Sequence, residues 1–417
     1  MSSNTIDMSQ LDPQLNAVSA DQLYYDIVVS NFKSTTTRPP VFYFNESRTL
    51  PFIRNPEEYY LSILRFTMET GSLPVFIPSI EPNQADRDLT IYSFTLEYFD
   101  TTTATTYSSG QTFINFIPQN SANAATPPDP PSATANGLQN NQTGYYDVYN
   151  YGWLISLMNI ALETAFTNLK AAITGGGGTP IANDIFPPFF NWDTTSNTAV
   201  LYCDFSVFGV NGTAAPNPYK IYCNAPLFGL FPTFPCKYLG YENVVSGKNF
   251  LFEPRNNGSS DLDDITPAPV TVPPTYRAVK VYQDISTIAS FSPITAIVFS
   301  SNTLPIQANQ VSTPLVFNNA QEVVLGGNNS NFANIITDLV SDTGQYKPNV
   351  VYNPSSEYRL ITLYGNRPLF NIDLNIFWRT KFGQLLPFRI NSGEAITMKV
   401  AFLKKSAYIG KGQNPQV

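Results

Sequence analysis

The stretch NIDLNIFWRTKFGQLLPFRINSGEAITMKVAFLKK, Asn371 to Lys405, alternates apolar and polar side chains almost without interruption. In its first run Ile372, Leu374, Ile376 and Trp378 share one parity, and Asp373, Asn375 and Arg379 share the other; Phe377 breaks the division. Successive side chains of a strand point to opposite faces, so this run predicts a half-buried strand. The second run sets Ile396, Met398, Val400 and Phe402 against Thr397 and Lys399, after the turn residues Asn391, Ser392 and Gly393. It predicts another strand of the same kind. Between the two, Pro387 cannot donate to a ladder and marks an edge or a bend.

Outward from this pair, the same texture recurs in YYDIVVSNF, PPVFYF, EEYYLSILRFTMET (Glu57 to Thr70), RDLTIYSFTLEYF (Arg87 to Phe99), TYRAVKVYQDI, SPITAIVFSS and EYRLITLYG. Each is short, β-branched or aromatic, and bounded by Pro, Gly, Asn or Asp. PPFFNWDTTSNTAVLYCDF reads as two strands around a Thr194 to Asn197 turn, and NIITDLV, Asn334 to Val340, as a short helical turn. One amphipathic helix is predicted over Trp153 to Ile173, where Leu154, Leu157, Met158, Ala161, Ala165, Leu169 and Ile173 form a stripe. Gly175 to Gly178 end it.

Many short strands, one helix and no βαβ rhythm leave a sandwich, a jelly roll or a Greek-key barrel. The reading is all-β: a single jelly-roll β-sandwich with a mixed insertion domain, because a jelly roll tolerates long insertions at its loop ends. Residues 1–20 form a flexible arm, 21–118 the first part of the jelly roll, and 119–270 the insertion with mobile loops at both ends. Residues 271–405 form its second part and 406–417 a tail.

Composition narrows the function. Charged residues make up 13% of the chain, about half the usual quarter, while aromatics reach 14%. A neutral polar surface suits a protein that sits against neighbours. The net charge of −8 offers nothing to a phosphate backbone, so no specific nucleic acid is expected. Lys399, Lys404, Lys405 and Lys411 read as the solvated end of the last strand. No apolar run approaches the roughly 20 residues of a membrane span, and no secretory leader is expected from the polar opening residues. The sequons at Asn45, Asn141, Asn211, Asn257 and Asn328 are therefore discounted.

Without any histidine the chain lacks the usual proton shuttle of a catalytic triad. Cys203, Cys223 and Cys236 show no metal spacing and read as reduced thiols. Paired carboxylates at Glu57 and Glu58, Asp86 and Asp88, or Asp261, Asp263 and Asp264 read as strand openings, a turn and a loop rather than a glycosidase pair. The last cluster lacks the glycine and distal Glu of a calcium loop. No enzyme, cofactor or metal site is expected. Tyr145, Tyr146, Tyr149, Tyr151 and Trp153 remain as a surface-recognition set that could stack on a host glycan.

Two stretches carry a family resemblance: NPEEYYLSILRFTMETGSLPVFIPSI (Asn55 to Ile80) and VYNPSSEYRLITLYGNRPLFNIDLNIFWR (Val351 to Arg379), with FNWDTTSNTAVLYCD between them. They resemble the minor capsid (penton) proteins of virophages and polinton-like viruses, small relatives of the adenovirus-type capsid lineage. The resemblance implies an upright single jelly roll in an icosahedral shell, five copies around the vertex, an outward insertion, and lateral contact with trimers of the major capsid protein. It further implies synthesis in the host cytoplasm and residence in the virion, and it carries over no catalytic residue. The competing readings are the double-jelly-roll major capsid protein and a glycan-binding attachment module.

Overall fold

The computed structural model describes residues 21–32, 40–81, 86–119, 139, 141–208, 219–240, 247–253, 262–265, 276–306, 318–319, 322–323, 334–340, 349–352, 359–381 and 383–409. The expected arm (1–20), most of the 119–144 loop, Asp261 and Lys411 lie outside them. By contacts the chain divides into two units, Met1–Leu73 with Pro293–Val417, and Pro74–Ser292. Strands are numbered β1 to β22 along the chain.

In the first unit, β1 (Gln22–Ser30), β22 (Ala395–Lys404), β3 (Tyr59–Glu69) and β18 (Asn349–Tyr352) form one antiparallel sheet in that order, with β19 (Ile361–Thr362) beside β3. The other sheet runs β2 (Tyr43–Ser47), β20 (Asn371–Thr380), β14 (Ile294–Ser300), β17 (Ile335–Leu339), with β21 (Leu385–Pro387) against β20. Renumbered one to eight in chain order, the main strands read 1-8-3-6 and 2-7-4-5. That is the strand order of a single jelly roll. β15 (Asn318–Asn319) and β16 (Glu322–Val323) pair separately.

The two closing strands are each as the alternation predicts, and they belong to opposite sheets. Pro387 is paired with Phe377 in the first of these, and the chain stays on it through Phe388, whose N–H donates to the Ile376 carbonyl at 3.0 Å, before turning through Asn391 to Gly393, whose φ of +89° favours glycine. The inner faces carry Ile372, Leu374, Ile376 and Trp378 on one side, and Ile396, Met398, Val400 and Phe402 on the other, all buried. Rings bridge the sheets at Phe66–Phe299 (5.0 Å) and Tyr25–Phe44 (6.3 Å), and Phe52, in the connection after β2, packs on Phe402 (5.8 Å). Each fully buried side chain contributes roughly 1.5–3 kcal/mol. In β3 the parity of the apolar residues changes between Ile63 and Phe66; a register shift at Leu64 keeps both inside.

The unit boundaries fall at 73/74 and 292/293, not at 118 and 271. The reason is pairing. β4 (Leu89–Asp100) joins β9 (Tyr219–Cys223), β5 (Thr105–Ser108) and β6 (Thr112–Asn115), and the sheet continues through β11 (Phe250–Phe252) to β10 (Cys236–Tyr238). β13 (Tyr276–Tyr282) likewise pairs with β8 (Thr198–Asp204) and β12 (Leu262–Ile265), with β7 (Phe189–Asp193) beyond β8. Asp263 and Asp264 thus stand in a strand, with Asp264 in register opposite Arg277, and not in a loop. NIITDLV is also corrected: Ile335–Leu339 is β17, not a helical turn.

The helix α1 (Tyr151–Gly175) packs on β4, β5, β6 and β7, and the predicted stripe is buried. Asn150 caps it, its Oδ1 accepting from the Trp153 N–H at 2.8 Å. The glycine run does more than end the helix. A Cβ on Gly178 would stand 2.6 Å from the Tyr107 ring, and one on Gly176 2.5 Å from it, while the Tyr107 hydroxyl donates to the Gly176 carbonyl at 3.2 Å. Phe190 sits at the centre of an aromatic core with Phe94, Phe231, Phe234 and Phe252, at ring separations of 5.5–6.1 Å among them.

Candidate functional site

The outer face of the β1–β22–β3–β18 sheet is built in cross-strand rows. One row is Val28, Thr397, Thr67 and Val351, four β-branched side chains in register across all four strands. Its ends are open: Val28 is 65% and Val351 66% exposed. The neighbouring row, Asp26, Lys399 and Arg65, is charged. Lys399 Nζ lies 3.9 Å from Asp26 and 5.1 Å from the Tyr24 ring centroid. Of the tail lysines, Lys404 reaches Glu58 at 3.8 Å, and Lys405 donates to the Glu57 carbonyl at 2.6 Å. These lysines hold the end of the jelly roll together and do not form a free basic patch.

The outer face of the second sheet is half-buried along β20 and exposed at its β2 edge, where Tyr43 is 54% exposed. Phe377, the residue that broke the alternation, is paired with Val298 and Pro387, and Val298 is fully buried. Asp373, assigned by parity to the polar side, is buried too. Its carboxylate accepts from the Ser301 hydroxyl, from the backbone N–H of Asn302 and of Thr303 at 2.9 Å each, and from the Thr303 hydroxyl at 2.6 Å. Burial pushes this carboxyl up, yet the bonds from Ser301, Thr303 and Asn302 outweigh it and hold the acid below its ordinary value. The residue is a lock on the turn after β14. The sequence offered no local sign of it.

The aromatic set in the second unit does not make one exposed platform. Tyr145 and Tyr146 are buried, packed with each other at 5.0 Å and with Phe116 at 5.8 and 5.3 Å. The Tyr145 hydroxyl donates to Asp88 at 3.0 Å, and that of Tyr146 to the Arg87 carbonyl at 2.8 Å. Burial, then Asp88, pushes the Tyr145 phenol up to about 12. Tyr151 stacks on Trp192 at 4.7 Å, and the Trp153 indole N–H donates to the Ile117 carbonyl at 2.9 Å. Of the five, Tyr149 is the exposed one, at 39%.

Among the described residues no group of three or more His, Cys, Asp and Glu could hold a metal ion, and no helix is long and apolar enough to cross a membrane. Cys203 and Cys223 are buried and all three thiols are free, with burial pushing each above its ordinary value.

A family model described as Sputnik minor capsid protein V18/19 matches residues 23–404. Structural protein V19 of Sputnik virophage is 29% identical over 192 residues, 45% of this chain and 83% of that protein. Protein V18 of the same virophage is 34% identical over 154 residues, 37% of this chain and 87% of that protein. A chain in the cryo-EM structure of the Sputnik virophage superposes with a TM-score of 0.73 at 29% identity, covering 93% of this chain and 99% of its own. The crystal structure of the mavirus penton protein superposes with a TM-score of 0.53 at 13% identity, covering 92% and 99%, which is a likeness of fold.

Proposed function

The chain belongs to the family of the Sputnik minor capsid protein V18/19 and is a structural protein of the virion; from this premise we propose that it is the penton subunit, five copies of which close each icosahedral vertex. The observation that carries the reading is the single jelly roll. Eight strands of the first unit complete one, and among the described residues the second unit's sheets, β10-β11-β9-β4-β5 and β12-β13-β8-β7, do not repeat its order. A major capsid protein of the double-jelly-roll kind needs two. The likeness of fold to the mavirus penton protein supports the same choice.

In this reading the neighbours at the vertex are trimers of the major capsid protein, and the chain is made in the host cytoplasm, where its three free thiols stay reduced. Low charge and high aromatic content suit obligate interfaces, which commonly bury about 2,000–5,000 Å². Native mass spectrometry of the purified chain over a concentration series tests the proposal, with residues 1–20 present and removed. A five-fold species is expected, weakened by the truncation. A trimer would instead favour the major capsid reading, and a monomer at every concentration would count against self-assembly into a ring.

A further inference from the structure

Among the described residues, the two opposite edges of one sheet in the first unit carry no further strand, and they suit each other. β1 pairs with β22 in unbroken register over all nine residues, and no strand lies on its other side among the described residues. It carries no proline, no lysine and no bulge, and Asp26, its one charge and the one device against edge pairing that it has, lies beside Lys399 of its own sheet. β18, at the far end of the same sheet, has no strand beyond it among the described residues either. Tyr24 and Val28 are exposed on the first edge, and Val351 on the second.

We propose, resting on the five-fold reading above, that neighbouring copies meet side by side through these ends, the β1 edge of one against the β18 edge of the next. Direction permits it. The four strands alternate, so β1 and β18 run antiparallel, and copies related by rotation about an axis along the strands present β18 antiparallel to the next copy's β1. A contact between two different edges repeats from copy to copy and closes into a ring, leaving no edge over. Charge permits it as well: the row from Val28 to Val351 holds no ionisable group, so no unpaired charge is buried along it, and Asp26 in the adjacent row already faces Lys399. A second copy is the occupant that supplies both complementary edges at once.

The test is cross-linking of the full chain in a Cys236→Ser background, the other two cysteines being buried. Val28→Cys and Val351→Cys are introduced singly and together, both at exposed positions where folding is not at stake, and treated with a short bis-maleimide. The double variant should give a ladder ending at five chains, and each single variant monomers only. Dimers from Val28→Cys alone would mean that two β1 edges meet and would overturn the proposal. A five-fold mass without any ladder would overturn it while leaving the penton reading intact; no five-fold mass at all would remove both.

Discussion

Replacing Asp373 by alanine should cost more than its place on the polar parity of β20 suggests. The carboxylate accepts from two hydroxyls and two backbone N–H groups of Ser301 to Thr303. The hydroxyls can re-aim when it is gone and the Thr303 N–H keeps its bond to the Ser301 hydroxyl at 3.2 Å, but the Asn302 N–H loses its partner, at roughly 1–3 kcal/mol, and three charge-assisted bonds go with it. Relief from carrying a buried charge offsets part of this, and a net loss of about 2 kcal/mol is expected. At about 2–4 °C per kcal/mol for a unit of this size, the jelly-roll transition should fall by about 4–8 °C. Asp373→Asn keeps one acceptor but turns an amide N–H toward the remaining donors, so a loss of about 1 kcal/mol is expected. Asp26→Ala is the control: its exposed pair with Lys399, at 3.9 Å, should contribute at most about 0.5 kcal/mol. Differential scanning calorimetry reads all three, with fluorescence in a Trp153→Phe, Trp192→Phe background leaving Trp378 to report on the jelly roll. If Asp373→Ala melts within a degree of the Asp26→Ala control, the carboxylate is not the lock inferred from its bonds.

Other consequences are nearer the surface of the argument. Gly178→Ala should destabilise the second unit by about 1–3 kcal/mol, since its Cβ meets the Tyr107 ring at 2.6 Å, whereas Gly175→Ala meets nothing within 4 Å and should be neutral or stabilising by up to about 1 kcal/mol; equilibrium urea unfolding separates them. Phe190→Ala should cost about 3–5 kcal/mol in the same assay. Asp100 accepts from the Thr179 N–H at 2.6 Å and the Thr102 N–H at 2.8 Å, bonds that hold its carboxyl down at about 2 against an ordinary 3.8. Its folded value lies below its unfolded one, so its contribution is complete above about pH 4 and is lost as the pH falls toward 2. Stability against pH in Asp100→Asn should therefore be flatter over that interval, and an unchanged slope would assign the acid response to other groups.

Much of this fold is written in local pattern. The alternation of Asn371 to Lys405 and the stripe of α1 reflect a preferred buried face, the β7–β8 hairpin reflects its Thr194 to Asn197 turn, and each appears where the pattern puts it. What failed needed information from afar. Ile335, Ile336 and Leu339 suit one helical turn, and only burial on both faces of a strand explains the absence of alternation in β17. β4 looks like its neighbour β3 in composition, yet its partner β9 lies more than a hundred residues away, so no local signal sets the unit boundary. Tyr145 and Tyr146 follow a polar loop, and their burial depends on Phe116, Asp88 and Arg87. Asp373 has the parity of a surface residue, and the turn after β14, far off in sequence, supplies its bonds. The resemblance of Asn55 to Ile80 and Val351 to Arg379 to penton proteins carried the functional reading, because an assembly surface has no signature as local as a catalytic motif.

The vertex assignment is tested most directly by a cryo-EM reconstruction of the intact particle at a resolution that separates strands. The account predicts this chain at the five-fold positions, five jelly rolls around each axis, each with the sheet order β1-β22-β3-β18 readable in the density. Finding it instead in the three-fold capsomers between vertices would contradict it.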